Sequence, residues 1–162
     1  MKEVHRFVDT WESLSAFQDV VFVVCPKCGA CAKQIRTKEL DANRTAYVRN
    51  LTCAACGLAR KGGALILPGS NLPVAYPSKP PELDLWLQTP CCGETLWAFN
   101  LRHIETIESY VRAGLREQHK IDDHWSNTTF VNRLPQWIKA AKNRDEILKG
   151  IARLKAKLSV AD

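Results

Sequence analysis

Seven cysteines carry the strongest chemical signal in this chain of 162 residues. Four of them form two pairs, Cys25-Pro26-Lys27-Cys28-Gly29 and Cys53-Ala54-Ala55-Cys56-Gly57, with 24 residues between Cys28 and Cys53. Two thiolates three positions apart grip one cation when the chain turns tightly between them. Pro26 presets φ for such a turn, and the glycine after the second cysteine takes the left-handed position where the chain leaves it. Two knuckles of this kind supply four soft sulfur ligands. That is the closed tetrahedral set of structural Zn2+, with no position left open for a catalytic water. An iron–sulfur cluster also takes four thiolates, but the knuckle glycines and the strand-like flanks favour zinc. Disulfides fit poorly, because the cysteine count is odd and the first residues mix charges and lead into no apolar segment of the kind an export signal needs. One structural Zn2+ on Cys25, Cys28, Cys53 and Cys56 is expected.

The segments around the cysteines must hold the knuckles in place. Val20–Val24 is a β-branched run entering the first knuckle, and residues 45–51 read as a strand entering the second. Between them Gln34-Ile35-Arg36 reads as a strand and residues 37–44 as a polar loop at a hairpin tip. With its two CxxCG knuckles, residues 20–63 resemble the zinc ribbon family, of the type seen in transcription factor IIB and in many bacterial proteins. The run Leu85-Trp86-Leu87-Gln88-Thr89-Pro90-Cys91-Cys92-Gly93-Glu94 is similar to one in a group of uncharacterised bacterial proteins known by their zinc ribbon. Some of that group are likened to the primosomal helicase. This chain has no GxxxxGK[ST] phosphate loop, so the likeness does not extend to ATPase activity.

The expected architecture is α+β in four parts. Residues 1–19 hold Asp9-Thr10-Trp11-Glu12, a capping box for a short helix through Trp11, Leu14 and Phe17. Residues 20–63 are the ribbon. Residues 64–82, with five prolines close behind Gly62 and Gly63, make a linker or irregular arm. Residues 83–162 begin with an aromatic hairpin, residues 83–88 and 95–99 about the turn Thr89-Pro90-Cys91-Cys92-Gly93. This turn echoes the first knuckle at its Pro, second Cys and Gly, but Thr89 stands where the first ligand would be. No further CxxC or HxxxH set accompanies it, which favours a hairpin over a second metal site. About three helices follow. Asn100 caps one that carries Leu101, Ile104, Ile107, Val111 and Leu115 on a single face. Thr128 or Thr129 opens a stretch that Pro135 interrupts. Asn143-Arg144-Asp145-Glu146 boxes the last helix, with Ile147, Ile151, Leu154 and Leu158 inward. His103 is expected at the border of the core beside Ile104.

Charge supplies the functional clue. The chain carries +6 overall, and residues 20–63 hold eight Lys/Arg against two acids, residues 133–162 eight against three. Two basic blocks suit a phosphate-binding surface, DNA or RNA, with Arg36, Lys38, Arg44 and Arg49 on the ribbon and Lys149 and Arg153 on the last helix. The competing reading is neutralisation: a four-thiolate zinc centre carries two negative charges, which takes the chain to about +4. Five tryptophans raise another alternative, a protein-binding adaptor or immunity-type protein whose exposed aromatics anchor a partner. No nucleophile elbow, kinase loop or dinucleotide glycine motif is present, so neither catalysis nor a small-molecule substrate is expected. A redox role for Cys91 and Cys92 would need reactive thiols. No apolar run approaches the roughly 18–20 residues that span a bilayer, and a cytoplasmic protein without membrane partners is expected.

Overall fold

The structure is a computed structural model that describes residues 6–41, 44–65, 83–113, 115–117 and 129–160. Eight strands and three α-helices occur among these residues: β1 (Arg6–Val8), β2 (Val20–Val24), β3 (Cys31–Asp41), β4 (Arg44–Cys53), β5 (Leu58–Leu65), β6 (Gln88–Cys91), β7 (Glu94–Trp97), α1 (Leu101–Arg112), β8 (Leu115–Glu117), α2 (Gln136–Lys139) and α3 (Arg144–Ser159). The expected mixture of a ribbon-like sheet, a hairpin and about three helices is present.

Strands β2-β3-β4-β5 form one antiparallel sheet in sequence order. The period of two decides which side is dry. Val21 and Val23 of β2 point into the core, facing Gln34 and Ala32 across the ladder, while Val20, Phe22 and Val24 lie half-buried on the other side. The sequence predicts a loop over residues 37–44, but pairing continues through Asp41↔Arg44, so the β3–β4 ladder is longer than expected. β5 likewise runs through Gly62 and Gly63 to Leu65, with a bulge opposite Val48 and Asn50. Glycine inside a strand commonly marks such an irregularity, and the strand continues past the expected end of the ribbon through Ala64 and Leu65. The proline-rich residues 66–82 lie outside the described residues.

The outer edge of β2 does not face solvent. Phe22 N–H donates to Phe99 O at 2.9 Å, Trp86 N–H donates to Phe22 O at 3.0 Å, and Val24 N–H donates to Asp84 O at 2.8 Å. These bonds stitch the sheet to the segment before and after the β6–β7 hairpin. One continuous apolar cluster then takes in Val21, Val23, Cys25 and Leu51 of the sheet, Leu87 and Leu96 of the hairpin, and Ile104, Ile107, Ile147, Ile151 and Leu154 of the helices. Within that cluster α3 comes close to the hairpin at Gly150, where a Cβ would stand 2.9 Å from Leu96 Cδ2 and 3.3 Å from Cys91 Sγ.

One predicted helix start and one predicted side-chain cap are corrected, although α3 does begin directly after Asn143 as expected. Asp9 Oδ1 accepts the Trp11 N–H, and Thr10 donates to Glu12, so the residues 9–12 box closes on itself. Trp11 sits at φ +63, and only a single 3-10 turn, Leu14–Phe17, follows. Asn143 has helical backbone angles and makes no side-chain cap; its amide donates instead to Trp137 O at 2.8 Å, a nearby carbonyl that outcompetes the helix end. Asn100 does cap α1, its Oδ1 accepting the His103 N–H at 3.0 Å. The buried face of α1 is His103, Ile104, Ile107, Tyr110 and Val111. Leu101 faces solvent, and Leu115 lies beyond the helix in β8, which pairs in parallel with β1. The stretch around Pro135 is a 3-10 turn, Val131–Arg133, followed by the short α2.

His103 is fully buried, deeper than the border position expected. Phe17, Phe99, Trp97 and Phe130 surround its ring, with centroids 4.8 to 5.7 Å away. The Phe99 N–H donates to Nδ1 at 3.1 Å, so the neutral ring carries its proton on Nε2. Among the described residues Nε2 has no hydrogen-bond acceptor, and the rings of Phe130 and Trp97 stand edge-to-face with the imidazole at 76° and 80°. Burial pulls the pKa from 6.5 down to about 3. The unfolded chain therefore takes up a proton between those two values that the folded chain refuses. The stability from this residue is present above pH 6.5 and is lost as pH falls below it, by about 2 kcal/mol at pH 5. Urea denaturation at pH 7.5 and 5 should show this loss in the wild type and a smaller one in His103→Gln, the metal centre being common to both. An imidazole proton resonance of His103 that titrates above pH 5 would contradict the assignment.

Candidate metal centre

The two knuckles close the ends of neighbouring hairpins in the sheet. The first joins β2 to β3, the second joins β4 to β5, and the β3–β4 ladder brings them side by side. Gly29 N–H donates to Cys25 O and Gly57 N–H donates to Cys53 O, both at 2.9 Å, so the two turns have the same closure. Gly29 and Gly57 have φ +73 and +68, the left-handed values that the sequence assigns to glycine.

The four sulfurs converge. Cys25 Sγ lies 3.8 Å from Cys56 Sγ, Cys28 Sγ lies 3.6 Å from Cys53 Sγ, and all four Sγ atoms fall within 4.8 Å of one another. Four sulfurs about 2.3 Å from a central ion at tetrahedral angles stand about 3.8 Å apart, so the donor set fits a closed four-thiolate metal site. Cys25 and Cys53 are buried, Cys56 half-buried and Cys28 exposed, which places the site at the edge of the core with one side to solvent. Cys31 contributes its carbonyl, which accepts from Cys53 Sγ at 3.7 Å; its thiol is not among the four.

The electrostatics of the thiols are unequal. Burial opposes ionisation of Cys25, but N–H groups of Cys28 and Lys27 at its sulfur, helped by the neighbouring thiols, outweigh that and lower its pKa to about 6. Cys28 moves the other way: the Ala30 N–H favours its thiolate, but burial and the sulfurs of Cys56, Cys25 and Cys53 push it to about 12. A divalent cation reverses this conflict, since coordinated thiols are deprotonated outright.

The other expected site residues are dispersed. Lys38 is exposed near the far end of β3 and Arg36 is half-buried on the same face of the strand; the Arg44 side chain lies outside the described residues. Arg49 is corrected. It is only 9% exposed, and its guanidinium donates to Gln34 Oε1 at 3.3 Å and Gln18 Oε1 at 3.0 Å. Burial and the adjacent Arg36 lower its pKa from the usual value, so it is a fixed internal group, not a surface phosphate contact. Arg153 is also engaged within the protein. Its Nε donates to Thr89 Oγ1 at 3.1 Å and its Nη2 to Pro90 O at 2.9 Å, clamping the hairpin to α3. Lys149 is exposed and lies 3.8 Å from Glu146. Sequence reasoning missed the Arg153 clamp, because its partners are more than 60 residues away in the chain.

Cys91 and Cys92 lie apart from the four-sulfur cluster, at the tip of the β6–β7 hairpin. A hairpin is present here as expected, but its strands are Gln88–Cys91 and Glu94–Trp97 about the two-residue turn Cys92-Gly93, not residues 83–88 and 95–99 about residues 89–93. Burial raises the Cys91 pKa to about 12, with the Cys92 sulfur adding to the effect. No helix among the described residues is long and apolar enough to cross a membrane. Comparison with protein-family profiles, curated proteins and solved structures found no match to this chain. The likeness to a zinc ribbon therefore stands on the four-cysteine cluster.

Proposed function

We propose that Cys25, Cys28, Cys53 and Cys56 hold one structural Zn2+ and that the protein is a non-catalytic ribbon protein that binds nucleic acid through its sheet. The observation that supports the second part is the distribution of exposed cations. Lys27 on the first knuckle, Lys33 and Lys38 on β3, and Arg60 and Lys61 on β5 all reach solvent on the ribbon. A polyphosphate backbone is the polyanion that such a spread of point charges suits best, through counterion release and not through base reading. The last helix enters this reading less than its charge count suggests. Arg153 is committed to the hairpin, Lys155 to Glu108, and Lys157 Nζ donates to Gln88 O at 2.6 Å.

The test is binding of the metal-loaded protein to mixed-sequence DNA and RNA. Neutralisation of about four phosphates predicts roughly a hundredfold loss of affinity between 50 and 200 mM salt. Lys38→Glu with Arg60→Glu should weaken binding further without unfolding the sheet; Arg49 is left intact because it is internal. No binding of either nucleic acid at low salt would eliminate this function.

One observation favours a second reading, recognition of a protein partner. Val8, Trp11 and Leu101 are 51%, 42% and 45% exposed, and Val8 lines an open groove of about 270 Å3 with Phe7, Arg102 and Glu105. An exposed tryptophan near such a groove is a typical interface anchor. That reading predicts recovery of one stoichiometric protein at moderate salt, unchanged by nuclease and lost in Trp11→Ala.

A further inference from the structure

The β6–β7 hairpin carries two thiols that neither the four-sulfur cluster nor the ribbon surface uses. Cys91 ends β6 and Cys92 is the first residue of the turn, with Gly93 the second. Both turn residues have positive φ, +55 and +77, which is the type I′ geometry of a two-residue hairpin. Asparagine, aspartate or glycine ordinarily fills the first of these positions, because an L side chain with a Cβ is disfavoured there and only short polar groups compensate locally. Cysteine gains nothing from the turn. A side chain held in a backbone region it does not favour points to a use for that side chain.

The sulfurs supply the use. Cys91 Sγ and Cys92 Sγ stand 3.7 Å apart. That is the span of the pairs in the four-sulfur cluster, 3.8 and 3.6 Å, and of two ligands on one tetrahedral ion, about 3.8 Å. Cys92 is half-buried, while Cys91 is buried with its thiol toward Glu146 O at 3.6 Å. Burial and the Cys92 sulfur oppose negative charge on Cys91; the Arg153 guanidinium, fixed on Thr89 and Pro90 of the same hairpin, only partly offsets this, and a bound cation would overcome it. Glu146 also opposes that charge from the first turn of α3, and its own carboxylate lies 3.7 Å from Arg153. Among the described residues no third sulfur, imidazole or carboxylate completes a cluster here.

We propose that Cys91 and Cys92 form a second, open metal site that takes a soft divalent cation, Cd2+ or Zn2+, through two sulfurs. Loading releases two thiol protons to solvent and replaces the Cys91–Glu146 contact with a metal–sulfur bond. The remaining coordination positions accept water or an outside ligand. With two protein ligands in place of four, the site binds more weakly than the knuckle cluster, and it fills only after that cluster is occupied.

Equilibrium dialysis of the reduced, metal-loaded protein against micromolar free Cd2+ tests this. The wild type should bind two metal ions per chain in total, and the sulfur-to-cadmium charge-transfer absorption should exceed that of a one-site protein by about half, six sulfurs against four. Cys92→Asn should bind one. Asn-Gly is the preferred pair for this turn, so the variant should keep or raise the denaturation midpoint while losing the second ion. Cys31→Ser should still bind two. A wild type that saturates at one ion, a second ion that survives Cys92→Asn, or one lost in Cys31→Ser would each overturn the site. None of these outcomes bears on the first ion or on nucleic-acid binding.

Discussion

Stripping the metal from the purified protein with a strong chelator should remove its cooperative unfolding transition, not merely lower it. Structural zinc in small finger peptides has an apparent binding free energy of about 10–16 kcal/mol at neutral pH, which equals or exceeds the whole stability of an ordinary domain, about 5–15 kcal/mol. The effect should not stop at the knuckles. Cys25 and Cys53 belong to the same buried cluster as Val23, Leu51 and Leu85, and β2 hydrogen-bonds on its outer edge to Asp84, Trp86 and Phe99. A sheet that loses its four-sulfur clamp therefore exposes the side of the core on which the hairpin and α1 rest. Amide hydrogen exchange should show loss of protection across β2–β5 and, more weakly, in α1. Single Cys→Ser substitutions at positions 25, 28, 53 and 56 should each reduce bound metal severely, with Cys53 costing more than the exposed Cys28. Elemental analysis giving one zinc per chain and no visible absorption separates zinc from an iron–sulfur cluster. A chelated protein shown to be metal-free that kept its thermal midpoint within a few degrees would sink the structural role.

The features legible in the sequence are those that depend on neighbours in the chain. The knuckles are legible because two ligands, a turn and a left-handed glycine all fall within five residues, and Asn100 is legible because its cap partner is His103, three residues on. The failures share the opposite cause. Asn143 looks like a cap until Trp137 O takes its amide, and Arg49 looks like a ribbon-surface cation until Gln34 and Gln18 close around its guanidinium. Period-two patterning does point to this last case, since Arg49 shares a face with Leu51, the face that packs inward, but a segment charge count takes no notice of it. Arg153 and Lys157 read as a basic helix surface, and only the distant hairpin carbonyls of Pro90 and Gln88 reveal them as clamps. Charge counts over a segment cannot tell an engaged cation from a displayed one, so the C-terminal block carries little weight in the functional reading.

Asn100→Ala should be among the most damaging substitutions outside the metal centre, at about 3–5 kcal/mol. Its Oδ1 caps α1, and a lost cap alone costs about 1 kcal/mol. The larger share comes from the other end of the amide. Nδ2 donates at 2.7 Å to both Phe17 O and Val20 O, the carbonyls where the chain leaves the 3-10 turn and enters β2. The bond to Phe17 O is buried and the bond to Val20 O partly so, so removing the donor costs about 1–3 kcal/mol at the first carbonyl and about 1 kcal/mol at the second. Asn100→Asp separates the two roles. Aspartate is as good a cap as asparagine, so if capping were the whole contribution this variant would match the wild type. It offers no donor, however, and its charge would face Phe17 O, Val20 O and the Asp19 carboxylate, which in the wild type lies 3.4 Å from Nδ2. Urea denaturation of the metal-saturated proteins should therefore rank Asn100→Asp no better than Asn100→Ala at neutral pH. An aspartate variant within about 0.5 kcal/mol of the wild type would mean that this side chain only ends a helix and does not join α1 to the first strand of the ribbon sheet.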